Sequence, residues 1–285
     1  MASSLTPEQA LAQARTQVAL ATGRPGGLCV LTGAGMSAES GIPTFRDALN
    51  GAPTAPAAPV PQEERAGLGR PGAQPGYWSQ FDPADLASED GFRAHPQRVW
   101  DWYEERRHGV RKAEPNAGHH ALADFERRHP GVLVLVSQNV DDLHQRAGNT
   151  GTIRLHGDIM ESRWLDTCSR HAKGGNVCDP DWAESGRPPG CADCGNLLRP
   201  GVVWFGESLP LGAINAAERA AQSCDVLLAV GTSGAVWPAA GLASRARRHG
   251  GTVIILNPSA SEIDTQAHLL LRSTAAQLLP GLLAG

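Results

Sequence analysis

Residues 31–47 read LTGAGMSAESGIPTFRD. The run Leu28-Cys29-Val30-Leu31 just ahead is short and apolar, the pattern of a strand buried on both faces. Gly33 and Gly35 then permit a sharp turn. Neither carries a Cβ, so backbone amides there can close on a phosphate. Ala38 completes the spacing G-x-G-x-x-A at the start of an expected helix, the spacing of a dinucleotide-binding turn. A dehydrogenase built on that turn carries an acidic residue roughly 20 positions on, to hold a ribose. Here the chain runs instead into Ser40-Gly41-Ile42-Pro43-Thr44-Phe45-Arg46-Asp47, a loop with a rigid proline, one aromatic ring and one arginine.

Three further apolar runs, 132–137, 225–230 and 252–256, join 28–32 as expected strands. Helical stretches such as 117–128 and 211–222 separate them, and this alternation implies an α/β fold with a doubly wound parallel sheet. The four strands run into TGAG, SQNVDD, GTSG and NPS, small or polar residues at the edge where ligands of open α/β sheets sit. Thr6-Pro7-Glu8-Gln9 reads as an N-cap, a proline at the first helical position and a capping-box glutamine.

A chain of 285 residues can form one large domain or a large one with a small companion. The formal net charge of -4, with no basic block, argues against nucleic acid as the main partner. No apolar run is long enough to span a membrane. The first residues lack the basic and apolar regions of a secretory signal, so a cytoplasmic protein is expected. A monomer is the expected state. Six cysteines then suggest metal binding or buried thiols. Cys29 and Cys224 sit in or beside apolar strands and read as core. Residues 48–76, rich in Pro, Ala and Gly and without periodicity, read as a mobile or disordered insertion.

GAGMSAESGIPTFR (33–46), QNVD (138–141), LHG (155–157), CADC (191–194), VVWFGE (202–207), GTSG (231–234) and NPS (257–259) follow one another in an order that resembles the sirtuins, NAD-dependent protein lysine deacylases. The resemblance runs from about residue 26 to 280. It implies a Rossmann-like NAD-binding domain from residues 1–47, 116–157 and 208–285. It also implies a smaller inserted domain: a flexible cofactor loop with a helical module (48–115), and a zinc-ribbon-like module with the substrate strand (158–207). The residues that would contact NAD are Gly33, Ala34, Gly35, Ser37, Ala38, Glu39, Phe45 and Arg46, then Gln138, Asn139, Val140 and Asp141. Gly231, Thr232, Ser233, Asn257, Pro258, Ser259 and Ala275 would hold the adenosine half.

By the same resemblance the catalytic residues are His156, Asn139 and Asp141. The acyl-lysine oxygen would attack C1′ of the nicotinamide ribose, nicotinamide would leave, and an alkylamidate would form. His156 would then deprotonate the ribose hydroxyls, so that the 2′ oxygen attacks the amidate carbon. An imidazole suits that task, because its free pKa lies near neutral pH. Free lysine and O-acyl-ADP-ribose would result, with acyl-lysine proteins or peptides as partners. Residues 199–207 resemble the segment that pairs with the substrate backbone as an added strand, a mode that demands little of the substrate sequence. Val203, Trp204 and Phe205 would line the tunnel for the lysine stem.

Helix 96–112 carries Tyr103 and Arg106 three residues apart on one face. In the sirtuin class that includes desuccinylases and bacterial CobB-type enzymes, such a pair binds the far carboxylate of succinyl- or malonyl-lysine. Ala87 matches a small residue that leaves room for the longer chain. Desuccinylation or demalonylation is therefore expected, with deacetylation beside it. The metal cluster departs from the family pattern: Cys191-Ala192-Asp193-Cys194 is a clean knuckle, but Trp164 and Thr167 stand where the first pair belongs. Zinc would be held by Cys168, Cys178, Cys191 and Cys194; His171 in place of Cys178, or a metal-free module, are the alternatives. NAD hydrolysis or ADP-ribosyl transfer would share the NAD pocket without needing the peptide strand. A non-catalytic NAD or ADP-ribose sensor would have no use for a base at His156.

Overall fold

The computed structural model describes residues 5–44, 83–167, 183, 184 and 186–284. The insertion 48–76 and the residues Phe45, Arg46, Cys168, His171 and Cys178 lie outside the described residues. In chain order the described strands are β1 (Leu28–Thr32), β2 (Leu133–Ser137), β3 (Ile153–Arg154), β4 (Gly157–Trp164), β5 (Ala183–Glu184), β6 (Gly190–Cys191), β7 (Leu198–Val202), β8 (Val226–Val230), β9 (Thr252–Leu256) and β10 (Leu269–Leu271). The chain divides into two compact units: Met1–Thr44, Ala113–His156 and Ser208–Gly285 form the first, Phe45–Lys112 and Gly157–Glu207 the second.

The first unit is built on a six-stranded sheet in the order β10-β9-β8-β1-β2-β3, and every pairing in it is parallel. Strand β1 is buried at all five positions. Val30 faces a core filled by Ala14 and Val18 of helix Pro7–Ala21, Leu122 and Phe125 of helix Ala117–Arg128, and Leu279 of helix Ala275–Leu282. Its neighbours Cys29 and Leu31 face the opposite core, with Ala217 and Ala221 of helix Leu211–Ser223 and Leu242 and Ala243 of helix Gly241–Arg248. Helices on both faces explain why these strands read as continuous apolar runs. Cys29 and Cys224 are both buried in this second core.

The four strands legible as apolar runs are present. Two edge strands, β3 and β10, are additional: two and three residues long, they are too short to carry a period. The first helix begins on the capping box, with Thr6 accepting from the Gln9 amide and the Gln9 side chain accepting from the Thr6 amide. No described helix is long and apolar enough to cross a membrane.

The second unit combines helices Pro83–Leu86, Glu89–Ala94 and Pro96–Lys112 with the antiparallel pair β4–β7 and the short pair β5–β6. Ser88 caps the second helix by accepting from the Gly91 amide. Arg107 fixes the long helix to β4. Its buried guanidinium donates to the Ile159 carbonyl at 2.5 Å, the Glu161 carbonyl at 2.6 Å and Ser162 Oγ at 2.9 Å.

Candidate functional site

In the first unit the C-terminal ends of β1 and β8 meet backbone to backbone. The Gly33 amide donates to the Val230 carbonyl at 2.9 Å and the Gly35 amide to the Gly231 carbonyl at 2.8 Å. A Cβ on Gly33 would stand 2.8 Å from Gly231 O and Thr232 Cα; one on Gly231, whose φ is 60°, would stand 2.5 Å from Met36 N. The amides of Gly33 and Gly35 are engaged within the fold, and the missing Cβ atoms serve the approach of one loop to the other. The helix that opens here, Gly35–Ala38, is a single turn.

Beneath that turn, residues a hundred positions apart converge. Ser37 Oγ donates to Asp141 Oδ2 at 2.9 Å, and Asn139 Nδ2 donates to Ser37 Oγ at 3.0 Å. The other Asp141 oxygen accepts from the Leu143 amide at 3.1 Å. Burial raises the Asp141 pKa, and the bonds from Ser37 and Leu143 oppose that rise. Gln138 Nε2 donates to Thr232 Oγ1, and Asn257 Nδ2 to the Thr232 carbonyl, both at 3.0 Å. Strands β2, β8 and β9 thus deliver Gln138, Thr232 and Asn257 to one edge. Val140 is half-buried beside Asn139, Pro258 and Ser259 are exposed, and Ser233 Oγ accepts from the Ala235 amide.

His156 follows the short edge strand β3. Its Nδ1 lies 2.7 Å from the Gln138 carbonyl. A carbonyl only accepts, so Nδ1 carries the proton and Nε2 keeps its lone pair. Burial lowers the His156 pKa, partly offset by that bond, and the ring is neutral at pH 7. The bond fixes the tautomer and leaves Nε2 able to accept a proton.

Other residues hold this edge in place. Asn116 Nδ2 donates to the Met36 carbonyl at 2.9 Å and to Ser40 Oγ at 3.0 Å, while its Oδ1 caps helix Ala117–Arg128. Arg154 donates to the Val140 and Asp141 carbonyls at 3.2 and 2.9 Å. Glu39 spends both carboxylate oxygens on the start of helix Ala275–Leu282, accepting from Thr274 Oγ1 and the Ala276 amide at 2.9 Å each. Ala275 is buried at the first position of that helix, and Ala34 and Ala38 are half-buried.

His119 and His144 form a buried pair with ring centroids 4.9 Å apart, and His144 Nε2 lies 3.1 Å from Thr32 Oγ1. Burial, above all, lowers their pKa values to about 3 and about 4 from the ordinary 6.5. Folded, both rings stay neutral; unfolded, both take up a proton below pH 6.5. Stability therefore falls as pH drops from about 6.5 toward about 4. At pH 5.5 the expected loss is about 1.4 kcal/mol per ring relative to neutral pH. Urea denaturation at pH 7.5 and 5.5 measures it, and His119→Asn should remove about half of the acid loss. An unchanged pH dependence in that variant would contradict the assignment.

The second unit groups the remaining residues. Trp204 Nε1 donates to Tyr103 Oη at 3.0 Å, and both side chains are buried. The Arg106 guanidinium lies 4.7 Å from the Trp102 ring centroid and 5.5 Å from that of Tyr103. Ala87 is buried, and its carbonyl accepts from the Phe205 amide at 2.8 Å. Strand β7 ends at Val202, so residues 203–205 follow it. Of the three, Val203 is half-buried, Trp204 is buried against Phe92, and Phe205 is 53% exposed. Burial raises the Tyr103 pKa, so its hydroxyl keeps its proton.

Cys191 and Cys194 flank a tight turn in which the Gly195 amide donates to the Cys191 carbonyl at 2.8 Å and the Cys191 amide to the Asn196 carbonyl at 2.7 Å. Gly195 supplies the left-handed φ of 72° that the turn needs. Trp164 and Cys194 pack against the buried Cys191. Among the described residues no three His, Cys, Asp or Glu side chains gather as a metal cluster. The knuckle offers two thiols of suitable type, and the other expected ligands lie outside the described residues.

A model of the Sir2 family matches residues 70–238. An NAD-dependent protein deacylase of Ralstonia nicotianae is 46% identical over 284 residues, covering 100% of both chains. Among solved structures, a Sir2 homolog–NAD complex superposes with a TM-score of 0.74 at 35% identity, over 100% of this chain and 95% of the other. Sir2Tm bound to a propionylated peptide gives a TM-score of 0.70 at 27% identity, over 94% of this chain and 97% of the other.

Proposed function

The chain belongs to the Sir2 family and is an NAD-dependent protein deacylase, and from that premise we propose that His156 is its base and that succinyl and malonyl groups are its preferred cargo. The observation that carries the first part is the 2.7 Å bond from His156 Nδ1 to the Gln138 carbonyl. When bound, NAD supplies an electrophilic ribose carbon with nicotinamide as its leaving group, and its ADP-ribose half takes the acyl group. Nε2 of His156 removes a proton from a ribose hydroxyl. The Gln138 carbonyl stabilises the imidazolium that results, because a bond from a charged donor is stronger than one from a neutral ring.

Asn139 and Asp141, tied to one another through Ser37, are proposed to hold the nicotinamide end. The loops Gly33–Glu39, Gln138–Asp141, Gly231–Ser233 and Asn257–Ser259 make up the rest of the NAD site, with Ala275, Phe45 and Arg46. Glu39 acts there through the helix it caps. That a Sir2 homolog of similar fold forms a complex with NAD supports an NAD site in this fold.

For the acyl group, Arg106 and Tyr103 are read as a carboxylate clamp. A guanidinium above an apolar aromatic floor can hold a carboxylate by two parallel bonds, each contributing about 1.5–3 kcal/mol where water is scarce. Arg106→Met is expected to lower kcat/KM on succinyl-lysine peptide at least tenfold more than on acetyl-lysine peptide, roughly one such bond. Equal losses on the two substrates would reject the clamp.

Zinc is proposed as a structural ion held by Cys191, Cys194, Cys168 and Cys178, supported by the knuckle turn. Metal analysis of the purified protein should give one zinc per chain, and Cys191→Ser should lose it. A full zinc complement in that variant would exclude Cys191 as a ligand. The buried thiols of Cys29 and Cys224 suit a reducing compartment, and the cytoplasm is the proposed place of action.

A further inference from the structure

We propose that Trp204 is a positioning residue for acyl selectivity: its indole N–H fixes the direction in which the Tyr103 hydroxyl donates. The inference rests on the reading of Tyr103 and Arg106 as a carboxylate clamp. Indole nitrogen is a donor only, so the 3.0 Å contact makes Tyr103 Oη the acceptor. A phenol oxygen that accepts there points its own hydrogen elsewhere. Tyr103 therefore presents a donor, and not a lone pair, to a group entering from the other side. Arg106, over the faces of Trp102 and Tyr103, also only donates.

Two groups that both present donors suit an acyl chain that ends in an ionised carboxylate. A hydroxyl free to rotate would offer its lone pair part of the time, and a carboxylate would be repelled by it. Burial removes the water that could otherwise restore that freedom, since Tyr103 and Trp204 are each 2% exposed.

The indole is itself held from several sides. The Arg199 guanidinium sits 3.3 Å from its centroid, and the Phe92 ring centroid is 5.3 Å away. Its backbone amide donates to Glu207 Oε2 at 2.8 Å, and Glu207 is gripped by Arg199 and by Arg163. A buried indole N–H needs an acceptor in any core, and here that acceptor is the single hydroxyl of the proposed clamp. Trp204→Phe keeps a ring and deletes the donor.

The test is a double-mutant cycle in the full chain with saturating NAD, on succinyl- and acetyl-lysine peptides of one sequence. Trp204→Phe should raise KM for the succinyl peptide about three- to tenfold relative to the acetyl peptide, the scale of one neutral hydrogen bond. In a Tyr103→Phe background the same change should leave that ratio unmoved. A merely structural role would lower both substrates alike and would act equally in both backgrounds. Should Trp204→Phe fold poorly, 3-benzothienylalanine at position 204 keeps the bicyclic shape without the N–H, and the same selective loss is expected. An unaltered ratio in either variant overturns the proposal, provided Tyr103→Phe and Arg106→Met shift it. If those two leave the ratio unchanged, the clamp reading fails first.

Discussion

Replacing His156 with alanine is expected to lower kcat/KM for deacylation about 10²–10⁴-fold, the usual contribution of a positioned base. The ring reaches its role from behind, through the Gln138 carbonyl, which itself belongs to the loop carrying Asn139 and Asp141. Burial sets the direction of the pH dependence. The His156 pKa lies below its ordinary 6.5, and the base must be unprotonated to act. The wild-type rate should rise with pH through an apparent pKa under 6.5 and level off above it. In the alanine variant that rising limb should vanish, which separates loss of a base from loss of the fold. A pH–rate profile on both proteins, with NAD titrated separately by calorimetry, reads both effects.

Gly231→Ala is expected to be as damaging by a different route. Its φ of 60° already disfavours a side chain, and a Cβ would lie 2.5 Å from Met36 N and 2.6 Å from Gly35 C. Those atoms are backbone, with the Met36 amide bonded to the Gly33 carbonyl of its own turn and the Gly35 amide bonded to the Gly231 carbonyl, and cannot swing aside. The β1 and β8 loops would have to part, at a cost of several kcal/mol and with loss of NAD affinity. Gly131 is the control. It has a φ of 78° with nothing within 4 Å of its missing Cβ, so Gly131→Ala should cost only the backbone term, about 1–2 kcal/mol. Thermal melts of both variants, with NAD titration, check the contrast. Similar small losses in the two would mean that loop contact is not what the glycine serves.

The sheet was legible because its four central strands are buried on both faces, and burial of that kind writes an unbroken apolar run into the chain. β3 and β10 were not, because two or three residues at a sheet edge leave no period to find. The site divides in the same way. Gln138, Asn139, Asp141 and His156 stood out through motifs, yet nothing in spacing alone could bring Ser37 onto Asp141 across 104 positions. Asn116, Arg154 and the His119–His144 pair act through tertiary contact, and their side chains are ordinary in composition. Trp204 was visible as an apolar residue in VVWFGE. Its bond to Tyr103 joins positions 101 apart and becomes evident only once the helix Pro96–Lys112 and the segment after β7 are folded.

The glycines carry a separate lesson. G-x-G-x-x-A suggested amides waiting for a phosphate, but the amides of Gly33 and Gly35 are already bonded to carbonyls at the end of β8 and just beyond it. One motif can be demanded by chain packing and by ligand binding together, and sequence does not separate the two.

The most direct measurement incubates the pure protein with NAD and a succinyl-lysine peptide and follows every product by mass spectrometry. Free lysine peptide, nicotinamide and O-succinyl-ADP-ribose should appear in equal amounts, faster than the corresponding products from an acetyl peptide. Nicotinamide released at the same rate without any acylated peptide, or intact peptide after NAD is consumed, would contradict the account.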